Sequence, residues 1–195
     1  HFVERWDMNK FIEVRQKAGL TQKQVAQRLG VATMTISQYE MGRRTPRSEV
    51  MERYAEVFNI PVSYFEHEDV RLVPKFSDAA AGPGCWTDGI PEEYLILPKS
   101  LQGKGDFFAV NVKGDSMSPY ILDGDLLFVK KQNFIERNGQ IAIITVGEDV
   151  RVKKISLTEE GMLVESINKD YPPELHKGDV FINGVVKMLV RNLEN

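Results

Sequence analysis

The spacing of apolar residues changes its period along this chain. Up to about residue 66, apolar residues recur at helical spacing; from about residue 107 they fall in short runs rich in β-branched and aromatic residues. Between them lies Ser77-Asp78-Ala79-Ala80-Ala81-Gly82-Pro83-Gly84, with small residues, two glycines, a proline and no apolar period. A pattern of period 3.6 and a pattern of period 2 cannot line the same kind of surface, so each demands its own core. The 195 residues are enough for two domains. The expectation is therefore a two-domain protein, an α domain followed by a mostly β domain. Residues 1–7 are read as a leader or non-native remnant, 8–66 as the helical domain, 67–91 as a linker and 92–195 as the β domain.

The helical part has readable starts and stops. Phe11, Ile12, Val14 and Ala18 give one apolar face, ended by Gly19. Thr21 and Gln24 have the spacing of a capping box, in which each side chain satisfies a free amide at the start of a helix. Val25, Ala26 and Leu29 form that helix's inner side, and Gly30 stops it. A third helix is expected over 33–41, stopped by Gly42, a fourth over 48–58, and a short fifth after Pro61. In the second part, strands are expected over 107–113, 126–130, 140–146, 150–155, 162–167 and 180–190.

Charge is divided unevenly. Residues 8–66 hold nine Lys/Arg against six Asp/Glu, whereas the whole chain is at −3. A basic front on an acidic chain points toward nucleic acid. One cysteine, Cys85, excludes an internal disulfide framework and suits a reducing cytoplasm. No apolar run approaches a membrane span, no signal peptide is visible, and the scattered histidines give no metal spacing. No metal or cofactor is expected.

Two helices joined by a turn containing Gly30 make a helix-turn-helix, whose second helix enters the major groove. Here that helix is 33–41, with Thr33, Met34, Ser37 and Gln38 expected outward and Ile36 and Tyr39 inward. Glutamine can pair with adenine, and threonine and methionine can touch a thymine methyl. Gln22 is placed to bond a phosphate oxygen, and Arg43 and Arg44 to neutralise the backbone. The string Leu20-Thr21-Gln22-Lys23-Gln24-Val25-Ala26, then Gly30, Ile36-Ser37-Gln38-Tyr39-Glu40-x-Gly42 and Pro46, resembles the Cro/CI (XRE-type) helix-turn-helix family. That resemblance implies a five-helix domain, base reading by Thr33, Met34 and Gln38, a structural ion pair between Arg15 and Glu40, and palindromic operator DNA as partner.

The β part carries Gly114-Asp115-Ser116-Met117-x-Pro119, then Asp123-Gly124-Asp125, then Val150-Arg151-Val152-Lys153-Lys154. This combination resembles the LexA and phage-repressor self-cleaving peptidases, related in fold to signal peptidases; residues 168–173 fit it too. The resemblance implies Ser116 as nucleophile, Lys153 as base, and the amides of Asp115 and Ser116 as oxyanion donors. Lys154 is the alternative base, although strand alternation turns it to the other face. The chemistry is coherent, because a serine hydroxyl needs a neighbouring base and a desolvated lysine can be neutral. The family cuts an Ala–Gly bond in its linker, which puts the cut at Ala81–Gly82. It also implies a homodimer or higher oligomer and an activated RecA filament as trigger. A non-cleaving dimerisation or effector-binding module is the alternative.

Overall fold

The computed structural model describes residues 8–67, 69–76 and 91–193. Among these, residues up to Leu72 together with Tyr94–Ile96 form one compact unit, and the remainder form a second.

The first unit is five helices: α1 (Met8–Lys17), α2 (Gln22–Leu29), α3 (Thr33–Glu40), α4 (Ser48–Phe58) and α5 (Ser63–Glu66). The capping box before α2 forms as expected: the Gln24 amide donates to Thr21 Oγ1 at 3.2 Å, and the Thr21 amide donates to Gln24 Oε1 at 2.8 Å. Gly30 ends α2 with φ of 65°, a left-handed turn that glycine enters without cost. Helix α3 stops one residue earlier than expected, with Met41 as its C-cap. The core is aromatic. Phe11 stacks on Phe65 with centroids 4.5 Å apart and meets Tyr54 edge-on at 4.9 Å. Val25, Leu29 and Ile36 complete it.

The strands are β1 (Leu72–Phe76), β2 (Glu93–Ile96), β3 (Phe107–Asn111), β4 (Leu126–Lys131), β5 (Gln140–Val146), β6 (Asp149–Thr158), β7 (Gly161–Glu165), β8 (Glu174–His176) and β9 (Val180–Val190); β2 falls almost wholly in the first unit, and the others build the mixed sheet of the second. Within the second unit the strands run in the order β1-β3-β4-β9-β5-β6-β7-β8. Strand β5 sits between β9 and β6, antiparallel to both. Ile143 faces one cluster, with Phe108, Met117 and Leu127, while Ala142 and Ile144 face another, with Ile155 and Val185. Burial on both faces is why this strand reads as an unbroken apolar run.

Three strands escaped the sequence. β1 lies inside residues 67–91, read as linker, and pairs parallel with β3. Its buried residues, Val73 and Phe76, are three apart rather than two, and Pro74 interrupts it, so no alternation is visible. β2 and β8 are four and three residues long, and β8 follows Pro172-Pro173.

Candidate functional site

Ser116 lies on the loop from β3 to β4, and that loop is fixed at many points. The Gly114 amide donates to Asp123 Oδ1 at 2.7 Å. The Val112 amide donates to the Asp125 carbonyl at 2.8 Å, and the Gly124 amide returns to the Val112 carbonyl at 2.9 Å. Met117 and Ile121 plug the loop into the core. Asp125, 2% exposed, accepts from Arg191 Nε at 2.7 Å and Nη2 at 2.6 Å, and from the Leu122 amide at 2.7 Å. The Arg191 guanidinium holds the Asp125 carboxyl below the usual range, against the opposing effect of burial. Arg191 also donates to the Tyr120 carbonyl, so β9's C-terminal side clamps the serine loop.

Lys153 stands on β6 opposite Ala142 and is 8% exposed. Burial pushes its ammonium below the ordinary lysine range; the Arg151 charge adds to this, and Glu174 opposes it. Nζ donates to Ser166 Oγ at 2.7 Å and lies 5.4 Å from the centre of the Tyr171 ring. Lys154, by contrast, is half-buried and paired with Glu165 at 3.4 Å. Ser116 and Lys153 line one groove of about 300 Å³, with Val112, Met117, Ile143 and Val152 among its walls. The Lys153 hydrogen bond goes to Ser166, and none joins it to Ser116 among the described residues. The Asp115 and Ser116 amides have no hydrogen-bond acceptor among the described residues, which leaves two donors available beside the hydroxyl. Ala81 and Gly82, the expected cleavage pair, lie outside the described residues, as do 1–7 and Cys85.

In the helical unit, Thr33 and Met34 are exposed, Met34 by 67%, and Ile36 and Tyr39 are buried. Ser37 and Gln38 are half-buried rather than free, because each neighbours a buried position in helical rotation. Arg43 and Arg44 are exposed just past α3. Arg15 pairs with Glu40 through Nε at 2.5 Å and Nη2 at 2.9 Å. Gln22, expected to be available to a phosphate, instead donates to Glu40 Oε2 at 2.8 Å. A carboxylate only 3% exposed needs several donors, and Gln22 supplies one.

The model of the Peptidase S24-like family matches residues 74–187, more than half of the chain. The chain belongs to the Peptidase S24-like family. The S24-like domain follows an N-terminal segment, residues 12–65, that matches the Helix-turn-helix model. The chain is similar to the LexA repressor of Shewanella sp. (strain MR-7), 28% identical over 88% of this chain and 85% of that one. It is also similar to the LexA repressor of Caldicellulosiruptor saccharolyticus, 32% identical over 67% of this chain and 64% of that one. LexA repressor 1 of Nocardia farcinica is 36% identical over 64% of this chain and 57% of that one. No helix among the described residues is long and apolar enough to cross a membrane.

Several site residues of the S24-like domain were not singled out in the sequence. Asp125 stood in the string that carries the family resemblance, but nothing in the sequence assigned it a partner. Arg191, 66 positions away, gave no local signal, because only β9 pairing beside β4 brings it back. Ser166, Asn168 and Tyr171 sit in or next to the stretch that fits the family by resemblance, but no periodicity or spacing assigned them contacts.

Proposed function

We propose that this chain is a sequence-specific DNA-binding transcriptional repressor of the phage CI type, dimeric through its S24-like domain and inactivated by cutting its own linker at Ala81–Gly82. The observation that carries the reading is the desolvated Lys153 sharing one groove with Ser116. Burial and the Arg151 charge favour the neutral amine that a general base requires. Lys153 Nζ takes the Ser116 Oγ proton as Oγ bonds to the Ala81 carbonyl carbon. The developing oxyanion is met by the Asp115 and Ser116 amides. The Ala81–Gly82 C–N bond then breaks, Lys153 returns the proton to the Gly82 nitrogen, and water hydrolyses the acyl-serine ester.

The helix-turn-helix of residues 8–66 reads operator DNA with Thr33, Met34, Ser37 and Gln38, while Arg43 and Arg44 meet phosphates. Dimerisation through residues 92–195 presents two reading heads to a palindromic site, a large gain in effective concentration. Cutting within residues 67–91 uncouples the two and releases DNA; an activated RecA filament is the trigger, in a DNA-damage response in the cytoplasm. The Lys153 bond to Ser166 rather than Ser116 favours a second reading, a non-cleaving dimerisation or effector module. Operator binding by fluorescence anisotropy, before and after incubation at alkaline pH, separates the two. The first reading predicts that the parent loses affinity and Ser116→Ala keeps it; equal retention by both supports the second.

A further inference from the structure

The segment just after β7 touches both halves of the dyad. At one end Ser166 Oγ accepts from Lys153 Nζ at 2.7 Å. Further on, the Asn168 amide donates to the Ser116 carbonyl at 3.0 Å, and Asn168 Nδ2 donates to the Asp115 carbonyl at 3.3 Å. Tyr171 Oη then donates to Asp115 Oδ1 at 2.6 Å, while its ring lies 5.4 Å from Lys153 Nζ. The Asn168 Oδ1 atom accepts from the Asp170 amide at 3.0 Å, which locks the asparagine rotamer, and the Tyr171 amide donates to the Asn168 carbonyl at 3.2 Å.

Peptide planarity gives these contacts a consequence. The Asp115 carbonyl and the Ser116 N–H belong to one rigid unit and point in opposite directions. Whatever grips that carbonyl aims that N–H. Two donors grip it, the Ser118 amide at 2.9 Å and Asn168 Nδ2 at 3.3 Å, so both of its lone pairs are used. The Asn168 amide bond to the Ser116 carbonyl fixes the next peptide in the same way.

We infer that Asn168 and Tyr171 are positioning residues of the cleavage reaction: together they hold the Asp115–Ser116 peptide in the one orientation that presents its N–H as the oxyanion donor. This rests on the self-cleavage reading above. Asn168 and Tyr171 act through the loop and touch no reacting atom. Around Lys153 itself the facing charged and titratable groups are Arg151 on its own strand, Glu174 on β8 and the Tyr171 phenol; Asn168 carries no charge.

The test measures the rate of self-cleavage of the full chain against pH. Asn168→Ala removes the side-chain donor, and Tyr171→Phe removes only the hydroxyl while keeping the ring against Lys153. The expected result is that each lowers the alkaline plateau by between about 10- and 100-fold, the effect of a misaimed rather than absent donor. The pH midpoint stays with the parent, because neither change alters the charges around the base. Tyr171→Leu, which also removes the ring, lowers the plateau and moves the midpoint to lower pH, since the ring face favours the ammonium form. Asn168→Gln is expected to recover less than half of the loss, being one methylene too long. Asn168→Ala and Tyr171→Phe both cutting at the parent plateau overturns the inference alone, provided the parent cuts and Ser116→Ala does not. An unchanged plateau with a shifted midpoint also overturns it. A parent that never cuts removes the self-cleavage reading and this role with it. Thermal unfolding of each variant identifies a loss that comes from misfolding, and Tyr171→Phe, which deletes one surface hydroxyl, decides the case if Asn168→Ala does not fold.

Discussion

Replacing Arg15 with methionine removes the cation that pairs with the buried Glu40 carboxylate. The Glu40 carboxylate is 3% exposed and accepts from Arg15 Nε, Arg15 Nη2 and Gln22 Nε2. Arg15 Nη1 also donates to the Leu20 carbonyl at 3.0 Å, tying the turn before α2 to α1. Arg15→Met removes all three arginine bonds and leaves the carboxylate buried with Gln22 alone. Removing one partner of a buried pair costs about 3–5 kcal/mol. A domain of roughly sixty residues has about 3–9 kcal/mol in total, so at the middle of both ranges more than half of its stability disappears. Gln22 keeps one bond to Glu40, which places the expected loss toward the lower end, about 3 kcal/mol. Adding Glu40→Leu to Arg15→Met removes the stranded charge and should recover most of the loss, since an apolar pair replaces a buried ion pair at little cost. Urea unfolding followed by far-UV circular dichroism reads both variants. An Arg15→Met variant within about 1 kcal/mol of the parent, or a double variant less stable than the single one, refutes the reasoning.

Gly184→Ala should destabilise the β domain by about 1–3 kcal/mol or more, because a Cβ there would lie 2.5 Å from the Lys130 carbonyl oxygen, backbone that cannot swing aside; thermal unfolding checks it. Thr33→Ala and Gln38→Ala should each cost about 1–3 kcal/mol at one base pair and relax sequence preference there. Arg44→Ala should weaken binding to every sequence and flatten its salt dependence, as titrations at several salt concentrations would reveal. Cleavage should speed up as pH rises through the lowered value of Lys153 and then level off. Arg151→Gln removes a positive neighbour, stabilises the ammonium and moves that midpoint to higher pH, whereas Glu174→Gln moves it lower; a midpoint that stays put under Arg151→Gln contradicts the electrostatic assignment.

Wherever the information was local, the sequence was readable. Thr21, Gln24 and Gly30 set the bounds of α2 because caps depend on residues three or four apart. The β-branched run over 140–146 was expected to be a strand, and residues 140–146 form β5. That Lys153 and Lys154 take opposite faces follows from period 2, and the two differ accordingly in exposure, whereas the choice of Lys153 as the base came from the family resemblance. What escaped depends on distant partners. β1 is a strand because β3 pairs with it, not because its own residues alternate. Arg191 matters because β9 returns beside β4, and Ser166 matters because β7 ends next to Lys153. The Gln22 bond to Glu40 was hidden for the same reason, since a buried carboxylate recruits donors from whichever helix is near.

Self-cleavage by Ser116 and Lys153 can be read by mass spectrometry of purified protein incubated across a pH range. Two fragments are expected, with masses that place the break between Ala81 and Gly82, formed at a fractional rate independent of protein concentration. None is expected from Ser116→Ala or Lys153→Ala, while Lys154→Ala cuts at close to the parent rate. A parent that stays intact at alkaline pH and with an activated RecA filament, or a Ser116→Ala variant that cuts as fast as the parent, contradicts it.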